Sequence, residues 1–129
     1  DRIDFSNETG SAPGNELSQA RYGLGAVSND LYGYFGGGYS AKTTVNRIDF
    51  SNETVSAPGN NLSQGKYHPT NASSNNYGYF AGGRTATAPI SLATIDRIDF
   101  SNEIFSQTGT NITQARYLLG GVSYYIGTR

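Results

Sequence analysis

Three arginine–aspartate pairs are the residues whose types and spacing best suit chemistry in this chain. Arg2-x-Asp4, Arg47-x-Asp49 and Arg97-x-Asp99 each set a cation beside a carboxylate. On an extended segment both point to one face, because side chains alternate with period two. A carboxylate so placed can serve as acid, base or ligand. Glycosidic bond cleavage needs two of them converging on one bond, and regular spacing along the chain provides no convergence. The plainer reading is that these charges pair with neighbours on outer strands. A further cation recurs as Arg21, Lys66 and Arg116. It would line anion sites or, more simply, bond backbone carbonyls or an aspartate in an adjacent strand.

His68 is the only histidine, and there is no cysteine. Thiol catalysis, disulfides and thiolate metal sites are excluded, and one imidazole makes a poor metal centre. His68, followed by Pro69, reads as a surface or turn residue. The glycine runs Gly36-Gly37-Gly38 and Gly82-Gly83 are followed by neither Gly-Lys-Ser/Thr nor a helix. They are therefore not phosphate loops and mark backbone geometry open to glycine. Formal glycosylation triplets begin at Asn7, Asn52, Asn61, Asn71 and Asn111 and come with the repeated wording. The expectation is a protein without enzymatic activity, cofactor or metal.

What must position these residues is a repeat. Arg-Ile-Asp-Phe-Ser-Asn-Glu occurs unchanged at 2–8, 47–53 and 97–103. The offsets are 45 and then 50 residues. A second phrase at 18–22, 63–67 and 113–117 keeps those offsets, and a third spans 32–38 and 77–83. Repeats of this length signal an array of supersecondary units, none of which buries its apolar face alone.

The chain has 129 residues, 9 basic and 10 acidic, with net charge −1. Nothing in that balance favours nucleic acid or an anionic membrane, and no apolar run is long enough to span a bilayer as a helix. It begins at Asp1 and contains no Met, which reads as a processed or excised segment. The 17 glycines and 10 tyrosines, with abundant Asn, Ser and Thr, suggest β structure with tight turns. No helical apolar periodicity is sustained.

One unit, 21–64, reads as four strands. The first is 22–28, ended by the turn Asn29-Asp30. The second is 31–36, aromatic and glycine-rich, which invites close packing from another backbone or ring. A polar loop over 39–46 leads to a third strand at 47–50, where Ile48 and Phe50 share one face. Ser51-Asn52-Glu53 turns into a short fourth strand at 54–57. Four short strands per 45 to 50 residues are the size of one propeller blade.

The order of these features resembles the kelch motif. The matching residues are Arg21, Tyr32, Phe35, Gly36 and Gly37, then Lys66, Tyr77, Phe80, Gly82 and Gly83. The resemblance covers essentially the whole chain. Kelch repeats usually carry a tryptophan on the fourth strand; this chain has none. The resemblance implies an all-β fold of kelch-like β-propeller blades, each of four antiparallel strands. The chain divides as half blade 1–20, blade 21–65, blade 66–115 and half blade 116–129, the last holding a first and a shortened second strand over 117–126. The wording "NRIDFSNETVSAPGNNL" with "YGYFGGG" resembles repeat-bearing virion structural proteins of tailed phages, notably those of marine cyanobacteria. That implies a virion or extracellular setting in a fibre or tail-associated part.

About three blades cannot close a ring, since propellers close with roughly four to eight. The chain is then half of a six-bladed homodimeric ring, part of a longer propeller, or an open stack in a fibre. Completing the half blade would also cover exposed sheet edges.

The expected function is structural and recognition-based, with multivalent rim contacts to a cell-surface glycan or receptor. The alternative is an oligomeric lectin with sugar sites between blades. Tyr39, Lys42, Arg84 and Thr85, on loops whose length varies between copies, are the candidate ligand-binding residues. Arg21, Gly36, Gly37, Asp49, Lys66, Gly82, Gly83, Asp99 and Arg116 are the candidate structural positions of the repeat.

Overall fold

The computed structural model describes residues 2–12, 14–86 and 90–126. Asp1 and Pro13 of the leading half unit, 87–89 of the second long loop and 127–129 of the trailing half unit lie outside the described residues. Among the described residues the fold is all-β with no helix. Ten strands run in chain order: β1 (Arg2–Asp4), β2 (Thr9–Ser11), β3 (Leu24–Ser28), β4 (Tyr32–Gly37), β5 (Val45–Asp49), β6 (Val55–Ser56), β7 (Thr70–Ser73), β8 (Tyr77–Ala81), β9 (Thr94–Asp99) and β10 (Ile104–Asn111). They form two four-stranded antiparallel meanders, β3-β4-β5-β6 and β7-β8-β9-β10, and the hairpin β1-β2; none of these sheets closes on itself.

The turns follow from local chemistry. Asn29 Oδ1 accepts the backbone N–H groups of Leu31 and Tyr32 at 2.9 and 2.7 Å, an Asx turn that reverses the chain between β3 and β4. Between β5 and β6, Asp49 accepts from Ser51 and Asn52 accepts from Thr54. Glu53 then takes φ 58°, matched by Glu8 at 57° and Glu103 at 59°. Three glutamates hold the left-handed conformation at one turn position.

The core lies between the two meanders. Val27, Tyr34, Val45, Leu62, Phe80 and Ile98 are buried, flanked by Tyr32, Phe100 and Phe105. Phe80 and Ile98 are fully enclosed, each contributing about 1.5–3 kcal/mol relative to exposure. Gly78 permits the approach of the sheets: a Cβ there would lie 2.5 Å from Val27 Cγ2. The "Tyr-Gly-Tyr-Phe" wording thus combines a large apolar load with a gap that receives the neighbouring sheet.

Three local expectations are corrected. The third strand begins at Val45 and not at Arg47, because the buried Val45 pairs with Gly36 across the ladder. Asn46, and Asp96 in the second copy, are therefore strand residues and not loop. The first strand begins at Leu24 and not at Tyr22, and its counterpart in the second unit begins only at Thr70. His68 takes φ 53°, as Gly23 does at 63° and Leu118 at 57°, and Pro69 has no N–H to offer a ladder.

The strands expected over 117–126 do not form. This segment runs along the edge of β7, held by Tyr124 N–H to the Ser73 carbonyl at 2.9 Å and by Ser73 N–H to Ser123 Oγ at 3.1 Å. By register its second strand would begin at residue 127, so no adjoining strand satisfies its other edge among the described residues.

Candidate functional site

The repeat is visible in the bonds between units. Arg2 Nη1 donates to Glu53 Oε1 at 2.7 Å, and one unit on, Arg47 Nη1 donates to Glu103 Oε1 at 2.8 Å. Tyr34 Oη joins the second pair, donating to the same Glu103 oxygen at 2.9 Å. Glu103 and burial together hold the Tyr34 phenol well above its ordinary value, burial being the larger cause. Ser28 N–H donates to Ser73 Oγ at 3.2 Å as Ser73 N–H does to Ser123. His68 N–H donates to the Gly23 carbonyl as Leu118 N–H does to that of His68.

The recurrent cations sit inside this frame. Arg21 donates to the carbonyls of Gly37 and Thr44 at 3.2 and 2.9 Å and to Asn46 Oδ1 at 2.5 Å. Burial pulls its guanidinium below the usual value. Lys66 Nζ donates to Thr94 Oγ1 and the Thr94 carbonyl at 2.7 and 2.9 Å, 3.3 Å from Asp96 Oδ2. Burial lowers the Lys66 value, and Asp96 opposes that shift. Arg116 is exposed and bonds its neighbour Gln114. Asp49 and Asp99 each accept from the Oγ and N–H of the serine two residues on. Those bonds hold both carboxyls below their ordinary value. The two carboxylates thus serve their own turns. Gly36 lies under the Phe80 ring, while Gly37, Gly82 and Gly83 take φ of 77°, 65° and 92°.

The loop ends of both meanders carry an aromatic cluster. Tyr22 and Tyr39 stack with ring centroids 4.8 Å apart and planes 16° from parallel. Tyr67 meets both edge-on, at 5.8 and 5.7 Å. Arg84 occupies the position of Tyr39 one unit later. Its Cζ lies 4.8 Å from the Tyr67 centroid and 5.1 Å from that of Tyr117, within cation–π range. The residue after the second strand therefore bridges the tyrosine of its own unit and that of the next, as a ring in one copy and a guanidinium in the other. A cleft of about 110 Å³ opens between Tyr39, Ser40, Tyr67, Arg84, Thr85 and Ala86.

Tyr39, Arg84 and Thr85 are brought together here. Lys42 is not; it belongs to the loop backbone, its carbonyl accepting from Lys66 N–H at 3.3 Å. Sequence reasoning did not single out Tyr22, Tyr67 and Tyr117 as site residues. Their signal was present in the tyrosine that follows each recurrent cation.

The opposite end bears wider grooves. One of about 430 Å³ is lined by Asn29, Asn75, Asn76, Tyr77, Asp99, Phe100 and Ser101. Another of about 300 Å³ is lined by Asp30, Leu31, Tyr32, Asp49, Phe50 and Ser51. Six lining positions of the first are the one-unit counterparts of the second. No helix among the described residues is long and apolar enough to cross a membrane. No protein-family model and no curated protein matches the chain.

Proposed function

We propose that this chain is a non-enzymatic structural and recognition module: kelch-like propeller blades, closed into a six-bladed ring by a second copy. In a virion fibre or tail-associated part the ring contacts a host surface. The observation that carries the recognition role is the tyrosine–arginine cluster at the loop end. Tyr22 and Tyr39 are 58% and 55% exposed, although stacked rings of this size are ordinarily buried for their apolar area. Rigid aromatic faces beside a cation give contact area at low entropic cost. Repetition around a ring multiplies weak contacts. The repeated junction bonds favour an ordered array of blades over independent hairpins. The phage setting rests on the resemblance in sequence.

The test is retention of the purified chain on cell envelopes of marine cyanobacteria. Wild type is expected to be retained, and Tyr39→Ala with Arg84→Ala is expected to lose retention. Equal behaviour of both proteins, or no retention of either, overturns the reading.

A second reading, an oligomeric lectin, is favoured by the pair of equivalent grooves at the opposite end. It requires titration calorimetry to give about one sugar per groove, with Asn75→Ala abolishing one site and the loop-end variants binding normally.

A further inference from the structure

We infer that Tyr79 and Arg97 form a ready-made receptor for Glu8 of a second copy of this chain, and that this contact is the clasp between copies. The inference rests on the ring reading above and names the residues that would join it.

Within the chain the same three positions already make this contact. Tyr34 and Arg47 of the first meander hold Glu103 of the second, at 2.9 and 2.8 Å. Arg47 is steadied by the Tyr32 ring, its Cζ 4.6 Å from the centroid, and Tyr32 lies 6.4 Å from Tyr34. The second meander reproduces each part of that cradle. Arg97 Cζ lies 4.6 Å from the Tyr77 centroid, and Tyr77 lies 6.4 Å from Tyr79. Among the described residues, however, no carboxylate forms an ion pair with Arg97.

The complementary group stands at the other end of the chain. Glu8 is exposed, holds the same left-handed turn as Glu53 and Glu103, and among the described residues its carboxylate has no partner. Its hairpin is also uncovered. Ile3 is 60% exposed, whereas its counterpart Ile98 is fully enclosed against the preceding meander. Seating β1-β2 of a second copy beside β9-β10 would bury Ile3 as Ile98 is buried and would deliver Glu8 to Arg97. It would also meet Val122 and Tyr124, 86% and 71% exposed, along the edge of β7. The contact is head-to-tail and occurs twice in a two-chain ring.

The experiment is light scattering on a sizing column at two concentrations, with thermal melts as the folding control. Wild type is expected at twice 13.8 kDa. Glu8→Arg and Arg97→Glu alone each place like charges at both junctions. Each is expected to raise the dimer dissociation constant by about a hundredfold, roughly tenfold per junction. An equimolar mixture of the two variants restores opposite charges at both junctions and is expected to recover the dimer. Tyr79→Phe, which removes only one hydroxyl, gives a weaker dimer with an unchanged melt. If wild type is dimeric and all the variants remain so, the clasp is overturned while the ring stands. If wild type is monomeric at both concentrations, closure by a second copy fails together with the clasp.

Discussion

Lys66 Nζ lies 3.3 Å from Asp96 Oδ2, and both side chains are completely shielded from solvent. The first unit meets the same need differently: Arg21 donates to Asn46, a cation against a neutral amide. In both copies the linking segment is secured to this residue, Ser18 Oγ donating to Asn46 at 3.0 Å and Ser63 N–H to Asp96 at 3.0 Å. Asp96→Ala would strand a buried ammonium and leave Ser63 without its acceptor. The expected loss is about 3–5 kcal/mol in denaturant unfolding. Lys66→Arg with Asp96→Asn rebuilds the arrangement of the first unit and is expected to recover most of that loss.

The two glutamate pairs differ in worth because they differ in exposure. Glu103 and Arg47 are about one quarter exposed, and Glu103 also serves Tyr34. Glu103→Ala is expected to cost about 1–3 kcal/mol, since the Tyr34 hydroxyl loses its acceptor inside the core. Arg2 is half exposed, and Glu53→Ala is expected to cost less than about 1 kcal/mol. Urea unfolding of the two variants side by side checks the ranking.

Acid sensitivity follows from the serine-bonded aspartates. Asp4, Asp49 and Asp99 are held below their ordinary value, first by the serine hydroxyl and then by the serine N–H. A carboxyl depressed on folding contributes stability above its unfolded value, about 3.9. That contribution is lost as pH falls through the depressed folded value. The melting temperature is therefore expected to drop below about pH 4. Asp→Asn at all three positions keeps the acceptor oxygen but cannot titrate, and should flatten the drop between pH 5 and pH 2.

Two glycines with left-handed backbones separate conformational from steric cost. At Gly59, φ is 87° and a Cβ would meet nothing within 4 Å. Gly59→Ala is expected to cost about 1 kcal/mol, the left-handed penalty alone. At Gly37, φ is 77° and a Cβ would fall 2.5 Å from the Lys66 carbonyl oxygen, which also accepts from Gly38 N–H. Gly37→Ala is expected to cost at least about 3 kcal/mol. Thermal melts of both variants test the difference.

Much of the strand plan was legible in the sequence. Alternation at Arg47-Ile48-Asp49-Phe50 and the Asn29-Asp30 turn are local signals, and the ladders β3-β4-β5-β6 follow them within a few residues. The candidate site was legible in part. Tyr39, Arg84 and Thr85 stood out because their loops differ between copies. Their partners Tyr22, Tyr67 and Tyr117 looked like fixed wording of the repeat, and only stacking across units gives them a role. Lys42 stood out on the same ground but does not line the cleft that Tyr39, Arg84 and Thr85 share.

The sequence by itself determined the repeating unit, its all-β character and the residues available at each position, because period-two patterning and turn chemistry act over a few residues. The tertiary structure decided which copies of those residues are satisfied. Glu103 finds Arg47 and Tyr34 across 56 and 69 residues of chain, while Glu8 and Arg97, identical in wording, find no such partner among the described residues. That distinction depends on which unit lies beside which. Identical local sequences can differ in it only through the packing of one sheet against the next.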